Sequence, residues 1–245
     1  MRMPLAMAFG VLCVVLVLGA VFYGQTDGNQ VAFDKAQARA LSTTDPWTAY
    51  SFYKEDTRWF AGCGRSGRCP KGYREDTLPQ TLLVKALDNN NSDAYIELYS
   101  SRLAWSSFLK VQTDYAPKFL AFVDSQTWEN TSNELAIYIT AAKILETGDF
   151  ITADTPRAAA YLVKAWEKGS VSAPLHLARL YKDSNDPHNA YLWSLRCVGK
   201  CRFNSVGESF DGYQSGLSNS DILAIQKLVD DRKVINIYAD TLRKL

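Results

Sequence analysis

Between Leu135 and Lys200 the pattern of apolar and polar positions states itself twice. AAKILETGD (Ala141 to Asp149) is followed thirty-six positions later by LARLYKDSN (Leu177 to Asn185), with Ala142 over Ala178, Lys143 over Arg179 and Ile144 over Leu180. DTPRAAAYL (Asp154 to Leu162) is echoed by NDPHNAYLW (Asn185 to Trp193). Apolar residues three and four apart define helical faces. An internal period of roughly 20 to 50 residues marks stacked units, none of which buries its apolar face alone. Start and stop residues fit the same scheme: Thr131 with Glu134 has capping-box spacing before Leu135 to Leu145, and Gly148 stops that helix. Asp154 or Thr155, Ser172 and Asp186 open the next three helices, with Pro156, Pro174 and Pro187 early in each.

The pattern extends in both directions. LVKALDNNNSDAYIEL (Leu83 to Leu98) resembles LVKAWEKGSVSAPLHL (Leu162 to Leu177), so a degenerate earlier unit begins near Leu78. In it a helix is stopped by Asn89 to Asn91, and a second is capped by Ser92 and carries Tyr95, Leu98, Tyr99, Leu103 and Trp105. Asp114 to Gln126 reads as a helix with Pro117 in its first turn, and Ser218 with Asp221 opens a terminal helix that either runs on through Val234 to Leu242 or gives way to one more. Earlier still, Val31 to Leu41 is a short helix or a linker with helical tendency, and Pro46 to Tyr53 a short aromatic helix. No stretch shows sustained strand alternation. The expected fold is all-α, an α-solenoid of antiparallel helix hairpins preceded by one transmembrane helix.

That transmembrane helix is the uncharged run from Pro4 to Gly24, preceded by Arg2. It matches the ~20 residues that cross a ~30 Å hydrocarbon core and exceeds the ~7–15 of a signal-peptide apolar region. The charge before it places the N-terminus in the cytoplasm and the rest outside. Cleavage near residues 20–24, releasing a secreted chain, is the competing reading, because Leu18-Gly19-Ala20 supplies small residues. The expected organisation is a signal-anchor over 1–24, a juxtamembrane linker and cystine loop over 25–77, helical repeats over 78–217 and a capping helix over 218–245.

Composition changes this picture little. The 27 Lys and Arg balance 26 Asp and Glu, a formal net charge of +1, so no global field recruits nucleic acid. Cysteine usage says more. Outside the span lie Cys63 and Cys69, joined by GRSGR, and Cys197 and Cys201, an even number that fits two disulfides in an exported domain. Three pairings are open. Local pairs are preferred, with Gly199 ending the helix so that Cys197 and Cys201 can close. The crossed pairing would staple a long loop and stabilise by ~4–5 kcal/mol in the chain-entropy model.

The A-helices AAKILETG and LARLYKDS, each followed by a turn with Asp and Pro and then by the B-helices AAAYLVKAWEKG and NAYLWSLRCVGK, resemble the Sel1-like repeats, relatives of the tetratricopeptide repeat. The resemblance covers Leu135 to Lys200 well and Leu78 to Tyr99 weakly. It implies that Tyr161, Leu162, Ala165, Trp166, Leu192 and Trp193 pack a B-helix on its A-helix, and that the surface serves as an adaptor or scaffold. The chain departs from the family at Ser184, where a glycine is usual, and at Arg196-Cys197, where a KAA-x-x-G ending is usual.

Candidate chemistry is sparse. His176 and His188 stand in no metal or nucleophile motif, and the cysteine gaps are neither those of a zinc site nor C-x-x-C. Paired acids such as Asp230-Asp231 read as solvated charges, the aromatics as core. Asn90-Asn91-Ser92 and Asn130-Thr131-Ser132 are formal glycosylation sequons. No catalytic residue, cofactor, metal or small-molecule substrate is expected. Lys143 and Arg179 on successive A-helices, with His176, are the candidate partner-binding residues, and Arg65 and Arg68 of the basic cystine loop a second contact. The expected role is a single-pass inner-membrane, periplasm-facing adaptor for a protein partner in a bacterial secretion, conjugation or pilus assembly. An envelope enzyme acting on cell-wall glycan, or a structural or immunity-type protein, is the alternative.

Overall fold

The computed structural model describes residues 28–61, 63, 69–100, 108–126, 133–199, 201 and 210–238. The expected anchor over Pro4 to Gly24 lies outside the described residues, as do Arg65, Arg68, Leu103, Trp105 and Thr131. Among the described residues no helix is long and apolar enough to cross a membrane. They form α-helices, two short 3-10 turns and no strand. The chain divides into two compact units, the first ending at Ala94 and the second starting at Tyr95.

The first unit contains α1 (28–42), α2 (Pro46–Thr57), a 3-10 turn (Arg58–Phe60), α3 (Leu78–Asp88) and the start of α4 (Ser92–Leu98). Asp45 caps α2 by accepting from the Thr48 N–H at 2.7 Å, and Pro46 fits the first turn because its missing donor has no intrahelical partner there. α2 packs on α3. Ala36, Ala40, Ala49, Leu83 and Ala86 are almost fully buried. Phe33, Phe60 and Tyr73 meet edge to face at 5.5 to 6.4 Å. One carboxylate ties three segments together: Asp76 accepts from Tyr53 Oη (2.6 Å), Gln37 Nε2 (2.9 Å) and the Leu78 N–H that opens α3 (2.9 Å).

The second unit runs through the rest of α4, α5 (Leu109–Ser125), α6 (Glu134–Thr147), α7 (Thr155–Glu167), α8 (Ala173–Asp183), α9 (Pro187–Arg196), a 3-10 turn (Phe210–Gln214) and α10 (Asn219–Leu228). α6 packs on α7 and α8 on α9, and α7 joins the two hairpins by packing on α8. Their core is Ile137, Ala141, Leu162, Ala165, Leu177, Ala178 and Trp193, each at most 1% exposed.

The repeat is visible at the level of single hydrogen bonds. After α7 the Gly169 N–H donates to Trp166 O and the Ser170 N–H to Ala165 O; after α3 Asn90 donates to Leu87 O and Asn91 to Ala86 O, the same helix stop. The next helix is then capped alike, Ser170 Oγ accepting from Ala173 N and Asn91 Oδ1 from Ala94 N. α8 ends the same way, with Asn185 donating to Lys182 O and Asp186 to Tyr181 O. Here Asn185 takes the left-handed position (φ 59°), so the glycine missing at Ser184 is replaced one residue later by an asparagine, the other residue that tolerates this conformation.

Four expectations about elements need correction. Asn91, not Ser92, supplies the capping side chain of α4. α5 begins at Leu109 rather than Asp114, so Pro117 lies inside it; the early turns are held from outside, Gln112 Nε2 donating to Leu98 O (2.8 Å) and Tyr99 Oη to Gln112 O (2.7 Å). The N-cap of α6 is Asn133, and Glu134 turns inward to pair with Lys168 at 2.9 Å instead of completing a capping box. The terminal helix stops at Leu228, and 234–238 form neither helix nor strand.

Both cystines are local: Cys63–Cys69 with Cα atoms 5.0 Å apart and Cys197–Cys201 at 5.1 Å. α9 ends at Arg196, one residue before the first cysteine of the second pair, and Gly199 (φ 58°) makes the turn between the two. Such short loops contribute about 2 kcal/mol each through the unfolded state.

Candidate functional site

Lys143 lies on α6, and His176 and Arg179 on α8, one repeat later. The structure brings these three expected residues into one electrostatic cluster. Burial pushes His176 down to about 4, and the Lys143 and Arg179 charges add to the effect, so the imidazole is neutral at physiological pH. Burial raises the Glu146 carboxyl, Asp183 pushes it the same way, and Lys143 and Arg179 pull it back. The first helices of both hairpins thus present a mixed patch of two cations, two acids and a neutral imidazole. Lys143 and Asp183 are exposed, while His176, Arg179 and Glu146 are partly covered. Such a patch recognises a polar surface of complementary charge; nothing in it forms a nucleophile–base pair. Among the described residues no group of three His, Cys, Asp or Glu is arranged for a metal ion. His188 stands apart, 3.9 Å from Asp221.

A second constellation surrounds α9. Arg196 donates to four backbone carbonyls: Val229 through Nε (3.0 Å), Val234 through Nη1 (2.7 Å), and Leu228 (3.4 Å) and Asp231 (2.7 Å) through Nη2. These are the carbonyls that end α10 and the chain just after it, which an arginine fork satisfies as no other side chain can. The same guanidinium lies 4.7 Å from the Trp193 ring centre and 4.9 Å from Trp166, which meet edge to face. Burial lowers Arg196 to about 10, still protonated at neutral pH. Two turns upstream, Asn189 holds the segment after α10 by both backbone groups of Ile237: Nδ2 donates to its O (3.0 Å) and Oδ1 accepts from its N–H (2.7 Å). Arg232 stacks on Trp166 at 4.4 Å, and Tyr181 Oη donates to Asn236.

A third network joins α5 to α7. Tyr161 Oη and Arg157 Nη2 both donate to Asp124, each at 2.6 Å. Burial, with Asp124 beside it, pushes Tyr161 up to about 12.

Sequence reasoning reached Lys143 and Arg179 through the repeat register and named His176 without such a match, and it missed Asn189, Arg196, Arg157 and Asp124. The departure at Arg196-Cys197 was the only signal for one of them. Arg196 departs from the repeat because its partners lie some thirty residues downstream, where no periodicity marks them.

Compared with known protein families, with curated proteins and with solved structures, the chain matches none.

Proposed function

We propose that the chain is a membrane-anchored, exported adaptor whose Sel1-like solenoid holds a protein partner, within a bacterial envelope assembly such as a secretion, conjugation or pilus system. The observation that carries this reading is the charged patch on α6 and α8, where Lys143, Glu146, His176, Arg179 and Asp183 come together on the first helices of consecutive hairpins. Stacked hairpins repeat one surface position at a fixed spacing, which suits them to contact an extended partner rather than to surround a small substrate. Two further features support an extracytoplasmic, anchored location: the two cystines, which persist in oxidising compartments, and the apolar run from Pro4 to Gly24.

The test is in-cell photocrosslinking of the full chain from positions 143 and 179, followed by identification of the adducts. An envelope protein crosslinked from both positions, and lost in the Lys143→Glu/Arg179→Glu chain, is the expected result. Background labelling alone from both positions would remove the reading's main support.

A further inference from the structure

We infer that the end of the first unit where α1 begins is an interfacial platform lying on an anionic lipid surface. The inference rests on the proposed anchor and adds a second, reversible contact to it.

The observation is a pair of neighbouring aromatics with opposite fates. The 3-10 turn after α2 buries Phe60 (6% exposed) against Phe33 and turns Trp59 outward, 76% exposed. Trp59 flanks an open groove with Ala32 and Ala36 of α1, and the Arg58 guanidinium lies 4.6 Å from its ring centre. Val31, half exposed, adds a second apolar contact at this end, and Lys35 lines the groove. A further cation is fixed in place: Gln30 Oε1 accepts from the Lys71 N–H at 2.8 Å, which ties the segment after Cys69 to the first turn of α1. Of the nearby acids, Asp56 is paired with Arg39 at 3.1 Å and Asp34 accepts from Gln30 Nε2 at 2.9 Å, which leaves Arg58, Lys35 and Lys71 against Asp34 and Glu55, a net positive balance.

Position decides the occupant. The apolar run ends at Gly24 and α1 starts at 28, a gap that the chain spans in at most ~14 Å. Ala32 lies only roughly 6 Å further along the helix axis. The headgroup layer on each side of the hydrocarbon core is ~5–8 Å thick, and a tether that keeps Ala32 within about 20 Å of the core edge leaves this end of α1 able to reach it. An exposed indole with a guanidinium over its face suits that layer, where tryptophan seats its ring among headgroups and basic side chains meet anionic lipid.

The test reconstitutes the full chain into phosphatidylcholine vesicles, with and without roughly one quarter phosphatidylglycerol. Some of the phosphatidylcholine carries brominated acyl chains that quench nearby indoles. The chain is expected to float with both vesicle types, and the brominated lipid to quench it more strongly where phosphatidylglycerol is present. Trp59→Phe should remove most of that quenching, and Trp47→Phe should leave it. The Arg58→Glu/Lys71→Glu chain should fall to the level seen in neutral vesicles. Quenching unchanged by Trp59→Phe in a chain that floats overturns the platform and leaves the anchor standing. A chain that stays at the bottom of the gradient overturns both. Trp59 that becomes shielded from aqueous iodide only when envelope proteins are co-reconstituted assigns the face to a protein and overturns the lipid contact.

Discussion

The hairpins α6–α7 and α8–α9 are built alike and finished differently. Their second helices align by their caps, Asp154 accepting from Arg157 N at 3.0 Å and Asp186 from Asn189 N at 3.1 Å. This register is one residue off the one that matching the prolines gives. It pairs Tyr161 with Trp193 and Lys164 with Arg196, and each cation lies over the aromatic one turn before it, at 5.8 and 4.7 Å. It also pairs Arg157 with Asn189. There the hairpins part: Arg157 reaches back to Asp124 at the exposed edge of α5, whereas Asn189, 3% exposed, reaches forward to the backbone of Ile237. A repeat fixes where a side chain stands, but its neighbour decides what that position contributes. A pair in solvent stabilises little, while a buried group serving backbone donors and acceptors is costly to remove.

The comparison can be broken at several points. Arg196→Ala should have the largest effect, a loss of about 3 kcal/mol in chemical denaturation, since four carbonyls and two indole faces lose their partner. Arg196→Lys should recover little of it, because one ammonium cannot span the same carbonyls. Asn189→Ala should cost about 2 kcal/mol and speed hydrogen exchange at Ile237, whose amide would be left buried without an acceptor; unchanged exchange there would mean the segment is held by other contacts.

His176 sharpens the contrast, since the equivalent position in the first hairpin is Thr140. Its folded-state value of about 4 lies below the ordinary ~6.5, so the unfolded chain binds a proton that the folded chain does not. The stability this contributes is present above about 6.5 and is lost as pH falls towards about 4, on the order of 2 kcal/mol. Glu146, raised by burial, works in the opposite direction as it protonates. Denaturation of the parent and of His176→Gln across this window isolates the histidine: the variant's curve should be flatter.

The smallest effect is expected at Arg157→Ala, below about 1 kcal/mol and vanishing in high salt, because both partners of its ion pair are more than a third exposed.

Much of the fold was legible because it is written locally. Caps, prolines and apolar spacing located α6 to α9 within a residue or two, and the match between Leu83 to Leu98 and Leu162 to Leu177 reappears as the same three hydrogen bonds at each turn. The matching places of Lys143 and Arg179 were legible for the same reason, since the repeat period carries one helix position onto the next, whereas His176, whose equivalent is Thr140, was not marked by it. Less of the first unit could be read, because its Ala-rich helix 28–42 has little apolar bulk to show a face and its hub, Asp76, joins Gln37, Tyr53 and Leu78 across forty residues.

By itself the sequence determined the helices of the hairpins, the stops and starts between them and the ease of closing two local cystines, all of which depend on residues close together along the chain. Tertiary structure alone decided that Glu134 faces inward to Lys168 and that α10 ends at Leu228. The last case shows the reason. Apolar spacing permits a helix to continue past Leu228, but the carbonyls there find in Arg196 a partner from another helix, and further on Asn189 takes up both backbone groups of Ile237.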